Sequence, residues 1–185
     1  IYDNKPTYDR SVQAAYPPGS PFKLLTALAG YQMKVISDST KFTCRHGYRM
    51  GRHTIGCHCG TFWPIGMEKA IEKSCNNYFS SVYYKITEKY GPKGRNRAID
   101  EWKEIMNSFG LGEFMNNDLA VGAKGKIPSG EFYTKRLGEK WHPYQSAIFN
   151  GMGQGDVLLT PLQMANFTAA IVNRGWYFTP HIVKS

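Results

Sequence analysis

Ser20 and Lys23 are the first residues whose types and spacing suggest chemistry, a hydroxyl and an amine three positions apart in S-P-F-K. On a helix such residues are neighbours on one face. Serine is a weak nucleophile until a base removes its proton, and lysine serves as that base only where desolvation or nearby positive charge lowers its pKa. Backbone N–H groups at a helix start would help to stabilise developing negative charge. Ser74 and Asn76, in S-C-N, add a second hydroxyl and an amide that could face the first pair across a cleft. Taken singly, both pairs also fit structural roles: a helix cap beside a surface lysine, and polar residues bonded to their own helical turn.

A third group is Cys44, Cys57 and Cys59, with His46, His53 and His58 nearby. Cys44, Cys57, His58 and Cys59 form a candidate zinc set by ligand type, although the usual C-x-x-C spacing is missing. A disulfide from Cys44 to Cys57 or Cys59, or plain thiols, are the competing expectations. Cys75, inside S-C-N, reads as packing.

The elements that must position these groups are legible in outline. Pro17-Pro18-Gly19 punctuates the chain, and Ser20-Pro21 looks like a helix start with Ser20 as N-cap and proline at the first helical position. Phe22, Leu24, Leu25, Leu28 and Ala29 carry that helix to about Gly30. Residues 34–64 read as an irregular Cys/His-rich insert, long enough to be functional or tied down. From Met67, Ala70, Ile71, Ser74, Tyr78, Val82 and Ile86 recur at helical steps, which places Ser74 on an apolar stripe. A further helix is expected over about Arg97 to Phe109, then loop from Leu111 to Asn150. Thr160-Pro161-Leu162-Gln163 is a capping box opening a helix that should reach Arg174 and stop at Gly175. Trp176 to Val183 alternates loosely as a strand would.

Of the 185 residues, 42% are hydrophobic and 20% charged, which excludes a disordered chain and suits one domain or part of one. The formal net charge of +9 is scattered, and no zinc-finger or RNA-binding motif accompanies it, so nucleic acid is not an expected partner. No apolar run is long enough to span a bilayer.

Taken together, the motifs resemble those of class B penicillin-binding proteins. Y-P-P-G-S-P-F-K (Tyr16 to Lys23) is similar to the block around their nucleophile, and K-S-C-N-N-Y-F (Lys73 to Phe79) to their S-x-N block, 54 residues on. Gly151 to Gly175 is similar to their G-Q-G-x-x-x-x-T-P-L-Q-x-A segment, and P-H-I-V-K follows. Set S-x-x-K, S-D-N and K-T-G marks penicillin-binding proteins and class A β-lactamases. The resemblance implies the α+β transpeptidase and serine β-lactamase fold, with residues 1–185 forming a partial, mainly helical transpeptidase domain. It also implies a D,D-transpeptidase that cross-links peptidoglycan stem peptides through a serine acyl-enzyme. Ser20 would be the nucleophile, Lys23 its base, Ser74 a proton relay to the leaving group and Asn76 a ligand for the substrate amide. Gly153, Gln154 and Gly155 would also border the substrate, and β-lactams would acylate Ser20.

The partners implied are a glycosyltransferase and elongation-complex proteins, with a membrane anchor outside these residues and the domain on the periplasmic face. Some relatives carry metal ligands near the insert, which favours a structural zinc there; catalysis needs no cofactor. No K-T-G or K-S-G occurs, so this stretch by itself is expected to be poorly active or inactive. Lys184-Ser185 reads as an accidental near-match. The rival readings are a serine β-lactamase or D,D-carboxypeptidase, and a non-catalytic penicillin-recognising sensor.

Overall fold

The computed structural model describes residues 7–60 and 63–183. Its centre is helix α4, Asn76–Thr87, against which the helices Lys23–Gln32, Met67–Glu72 and Arg95–Ser108 pack. Tyr78, Phe79, Val82, Tyr83 and Ile86 of this helix are all fully buried. In chain order the helices are α1 (Arg10–Gln13), α2 (Lys23–Gln32), α3 (Met67–Glu72), α4, α5 (Arg95–Ser108), α6 (Gly130–Leu137) and α7 (Pro161–Val172). Helix α2 packs on both α4 and α5. It approaches α4 through Gly30, where an added Cβ would lie 2.8 Å from Val82 Cγ1. Trp102 of α5 closes the core edge-on against Phe22 and Tyr83, with ring centroids 6.3 and 5.2 Å away. Burying rings of this size supplies much of what holds such a core together.

The 34–64 insert is more ordered than its composition suggests. Strand β1 (Phe42–Thr43) pairs antiparallel with β4 (Pro64–Ile65), and β2 (Gly47–Met50) with β3 (His53–Gly56). In the hairpin, Gly47 faces Gly56 and Met50 faces His53. Cys44, Tyr48, Met50, Cys57 and Cys59 of the insert, with Ile65 just after it, join the same buried cluster as α4. The architecture is α+β, with the described strands confined to two short antiparallel pairs.

Several boundaries differ from the sequence expectation. Ser20 does not cap α2: residues Ser20–Phe22 form a 3₁₀ turn, Gly19 precedes it at φ 68°, and no side chain caps the turn. The serine hydroxyl is thereby left for other partners. The periodic run from Met67 to Ile86 is two helices, broken at Lys73–Cys75. The break is a Schellman-type helix end, with Ser74 N–H donating to Ile71 O at 3.0 Å and Cys75 N–H to Ala70 O at 2.9 Å. Ser74 takes the left-handed position, φ 47°, where glycine is usual. Helix α6 lies in the expected loop; it buries only Gly130 and Tyr133, so its apolar stripe is too thin to show a period. Its start is nevertheless capped by Ser129 Oγ, which accepts from Phe132 N–H at 3.1 Å.

The capping box of α7 forms as expected, with Thr160 Oγ1 accepting from Gln163 N–H and Gln163 Oε1 from Thr160 N–H, both at 3.1 Å. Gln163 Nε2 also donates to the carbonyls of Gly110, Glu113 and Lys124, tying that loop to the helix start. Helix α7 ends at Val172 with Arg174, not Gly175, in the first left-handed position, φ 61°. Residues Trp176 to Val183 form no strand among the described residues. They have no ladder partner, and Asp118 instead accepts from the N–H groups of Ile182 and Val183.

Candidate active site

The 3₁₀ turn that presents Ser20 is built from behind. Tyr16 exchanges backbone hydrogen bonds with Leu159 at 2.9 and 2.8 Å, and Gly19 N–H donates to Gly153 O at 2.7 Å. Gly153, at φ 70°, packs so closely that a Cβ would stand 2.2 Å from Gly19 O and 2.6 Å from Phe22 Cβ. Thr26, fully buried one turn into α2, donates to Gly151 O at 3.0 Å. The G-Q-G segment thus clasps the start of α2. Gly153 is buried in this clasp, while Gln154 and Gly155 are exposed.

In front of the turn, four predicted residues meet. Lys23 is 4% exposed, and its Nζ lies 2.8 Å from Ser74 Oγ, 2.8 Å from Ser74 O, 2.7 Å from Asn76 Oδ1 and 3.2 Å from Ser20 Oγ. Ser74 Oγ is 3.1 Å from Ser20 Oγ. The two serine hydroxyls and the amine therefore form a closed triangle, with both hydroxyls on exposed residues and the amine beneath them. An ammonium has three N–H donors for these four acceptors. The longest contact, to Ser20, is the one best suited to reverse: a neutral amine keeps two N–H bonds and turns its lone pair to the Ser20 hydroxyl. Burial lowers the Lys23 pKa and so favours that neutral form, opposed by the nearby Cys57 and Cys75 sulfurs.

The left-handed backbone at Ser74 makes this possible. It turns the Ser74 carbonyl to Lys23 instead of along a helix, and starts α4 at Asn76 so that the amide reaches the same amine. Strain of this kind is commonly kept at functional sites. Asn76 Nδ2 donates to Gly56 O at 2.8 Å, which ties the end of β3 to the site. A cleft of about 290 Å³ opens here, lined by Ser20, Pro21, Lys23, Leu24, Ile71, Ser74 and Phe79. Gly153, Gln154 and Gly155 are not among its lining residues.

Between Ser74 and Asn76, Cys75 points the opposite way. Its sulfur, with those of Cys44, Cys57 and Cys59, forms a buried group in which all four lie within 4.8 Å of one another. His58 is exposed and outside the group, and Cys75 lies beside the three cysteines expected from the sequence. The hint lay in the sequence, since S-C-N puts a third thiol beside an insert holding three. Among the described residues no disulfide joins these cysteines. Burial pushes the Cys75 thiol up to about 12 and raises Cys44 further. Tetrahedral zinc with sulfur at about 2.3 Å requires S···S edges of roughly 3.8 Å. The Cys57–Cys75 separation is 3.7 Å and all four sulfurs lie within 4.8 Å of one another, so the donor set can close on that ion with small shifts of the wider edges.

Fold and motifs together define the class. The family model of the penicillin-binding protein transpeptidase domain matches residues 1–185, and the chain belongs to that family. Within it, the chain is similar to penicillin-binding protein 2. It is 31% identical over 189 residues to the peptidoglycan D,D-transpeptidase MrdA of Acinetobacter baumannii, covering 98% of this chain and 26% of that protein. It is 27% identical over 185 residues to MrdA of Escherichia coli strain K12, covering 98% and 27%. The crystal structure of Pseudomonas aeruginosa PBP2 in complex with WCK 5153 superposes with a TM-score of 0.80 at 28% identity, over 97% of this chain and 39% of that one. The complex of PBP2 and MreC from Helicobacter pylori gives 0.79 at 26%, over 97% and 32%. The chain spans about a quarter of the length of these curated relatives. Among the described residues no helix is long and apolar enough to cross a membrane.

Proposed function

We propose that this chain carries the nucleophile half of a peptidoglycan D,D-transpeptidase, with Ser20 forming the acyl-enzyme. The observation that carries this reading is the buried Lys23 amine within hydrogen-bonding distance of Ser20, Ser74 and Asn76 at once. Neutral Lys23 takes the Ser20 proton as Oγ attacks the carbonyl of the terminal D-alanyl-D-alanine bond. The tetrahedral intermediate expels D-alanine, whose amine receives a proton from Lys23 through Ser74. The resulting ester is then attacked by the amine of a neighbouring stem peptide, and Ser20 recovers its proton. Asn76 fixes the Lys23 amine through Oδ1; its second amide N–H remains for a substrate carbonyl. Gly153 and Gly155 act on the substrate indirectly, by holding the nucleophile turn and the backbone behind it.

Cys44, Cys57, Cys59 and Cys75 would hold a structural zinc ion, and zinc bound there supplies a cross-link between the strand insert and the Ser74–Asn76 turn. By its resemblance to the class B family, the full protein would work at the periplasmic face of a membrane beside elongation-complex proteins; that PBP2 of Helicobacter pylori has been solved in complex with MreC supports a protein partner.

The test is labelling of the full-length protein by a fluorescent penicillin, with and without Ser20→Ala. Wild type should label and the variant should not. Absence of wild-type labelling would remove the acyl-enzyme reading; labelling that persists in Ser20→Ala would remove Ser20 as nucleophile.

A further inference from the structure

One segment of the chain carries cations with no acid among its residues. Elsewhere six basic side chains pair with acids: Arg95 with Glu88 at 2.5 Å, Arg136 with Asp156 at 2.5 Å, Lys89 with Glu101 at 2.6 Å, Lys135 with Glu131 at 2.6 Å, and Lys69 and Lys73 with Glu72. The segment from Ser39 to Met67 has no aspartate or glutamate, yet contains Lys41, Arg45, Arg49 and Arg52. All four are exposed, and among the described residues none is in an ion pair. Arg49 Nε bonds only the Gly51 carbonyl of its own hairpin tip, at 3.2 Å.

These cations are presented on a fixed arm. In β2, Tyr48 and Met50 turn into the core while Arg49 between them turns out. At the base, Cys57 N–H donates to His46 O at 2.8 Å, so Arg45 stands next to the strand end. One residue before Cys57, Gly56 O receives the Asn76 amide of the candidate active site. At a strand rise of about 3.3 Å per residue, the Arg52–His53 tip is roughly 10 Å from that carbonyl. That is slightly more than the roughly 8 Å Debye length at physiological salt, so the arm's pull on an anion approaching the site should be strongly salt-dependent.

We propose that the β2–β3 hairpin is a docking arm for acidic peptide, and that its occupant is the carboxylate-bearing stem peptide of un-crosslinked peptidoglycan on its way to Ser20. This deepens the transpeptidase reading and rests on it. A patch of one sign beside a cleft raises the local concentration and the association rate of an oppositely charged substrate. Acidic peptide is favoured over an anionic lipid surface for two reasons. The arm's base is hydrogen-bonded to the catalytic turn, and its tip, Gly51-Arg52-His53-Thr54, offers no apolar side chain to enter a bilayer.

The experiment uses the full-length protein and the triple variant R45E/R49E/R52E, with R45Q/R49Q/R52Q as a milder companion and circular dichroism to confirm that each folds. The probe is a fluorescent, un-crosslinked glycan-peptide oligomer with free stem-peptide carboxylates, beside the same oligomer with those carboxylates amidated. Wild type should bind the free-acid oligomer with an affinity that falls as salt rises. Charge reversal should weaken that binding roughly tenfold or more, neutralisation should weaken it less, and amidation should abolish the difference between the proteins. Penicillin acylation of Ser20 should be the same in all three, since the small probe does not need the arm. Equal binding of the free-acid oligomer by wild type and the reversed variant overturns the inference. So does reversal-sensitive binding found with phosphatidylglycerol vesicles but not with the oligomer, which would assign the arm to a membrane. Wild type that fails to react with penicillin removes instead the transpeptidase reading beneath it.

Discussion

Two buried groups share one three-residue turn and are built on opposite principles. On one side of Ser74-Cys75-Asn76, the buried amine of Lys23 is surrounded by oxygen acceptors and opens to solvent through two serines. On the other side, four sulfurs are closed off from water, with Cys75 itself fully buried. The first keeps a titratable group poised between two states, because desolvation weakens its charge while hydrogen bonds hold its position. The second has no exposed face and suits a permanent cross-link. Alternate side chains of one turn thus face a solvent-open hydroxyl–amine group on one side and a closed sulfur group on the other.

The sharpest way to break this comparison is Lys23→Met. It should lower the rate of penicillin acylation by about 10²–10⁴-fold, the usual contribution of a positioned base, while metal content stays unchanged. In the wild type the same rate should rise with pH and level off below 10.5, the ordinary lysine value, because burial depresses the Lys23 pKa. The linkage has a definite sign: the unfolded chain binds this proton more tightly, so the Lys23 contribution to stability grows as pH rises from the folded value to the ordinary one. A rate that falls over that range would exclude Lys23 as the base.

Loss of a sulfur is next in size. Cys75→Ser should weaken zinc binding by more than the roughly 10–100-fold typical of losing an outer-shell partner, and lower the thermal midpoint. His58→Ala should leave zinc content and midpoint unchanged, since that side chain is outside the sulfur group. Elemental analysis of protein purified without added metal checks both.

Ser74→Gly separates stability from function within one residue. Glycine relieves the left-handed backbone at φ 47°, so the fold should gain about 1 kcal/mol while penicillin acylation falls, because the relay hydroxyl is gone. Denaturant unfolding and acylation rates on the same sample measure the two effects. Smallest in reach is the clasp behind Ser20. Gly153→Ala should destabilise by about 1–3 kcal/mol through the contact with Gly19 O and the positive φ, whereas exposed Gln154→Ala should change stability by less than about 0.5 kcal/mol.

What the sequence conveyed well was local and regularly spaced. The Ser20–Lys23 step, the S-C-N triplet and the Thr160–Gln163 capping box each depend on neighbours within one turn, and the structure forms all three. The break at Ser74 was hidden because α3 and α4 each keep their apolar positions at helical steps, so the periodicity runs on through a serine in a conformation that serine seldom adopts. Only Lys23, 51 residues away, provides the partner that draws the Ser74 carbonyl out of line. Cys75 was left out of the sulfur set for a related reason. A thiol next to two site residues looks like packing until tertiary structure brings Cys44, Cys57 and Cys59 to it. Strands β1 and β4 escaped notice because they are two residues each and lie too far apart in sequence to show a hairpin.

The most direct test of the central claim is to locate the acyl group. Full-length protein treated with a penicillin, digested and mapped by mass spectrometry should carry the adduct on the peptide containing Ser20, and the adduct should form more slowly when Lys23 is replaced. An adduct on a peptide lacking Ser20, or one whose rate is indifferent to Lys23, would contradict the account.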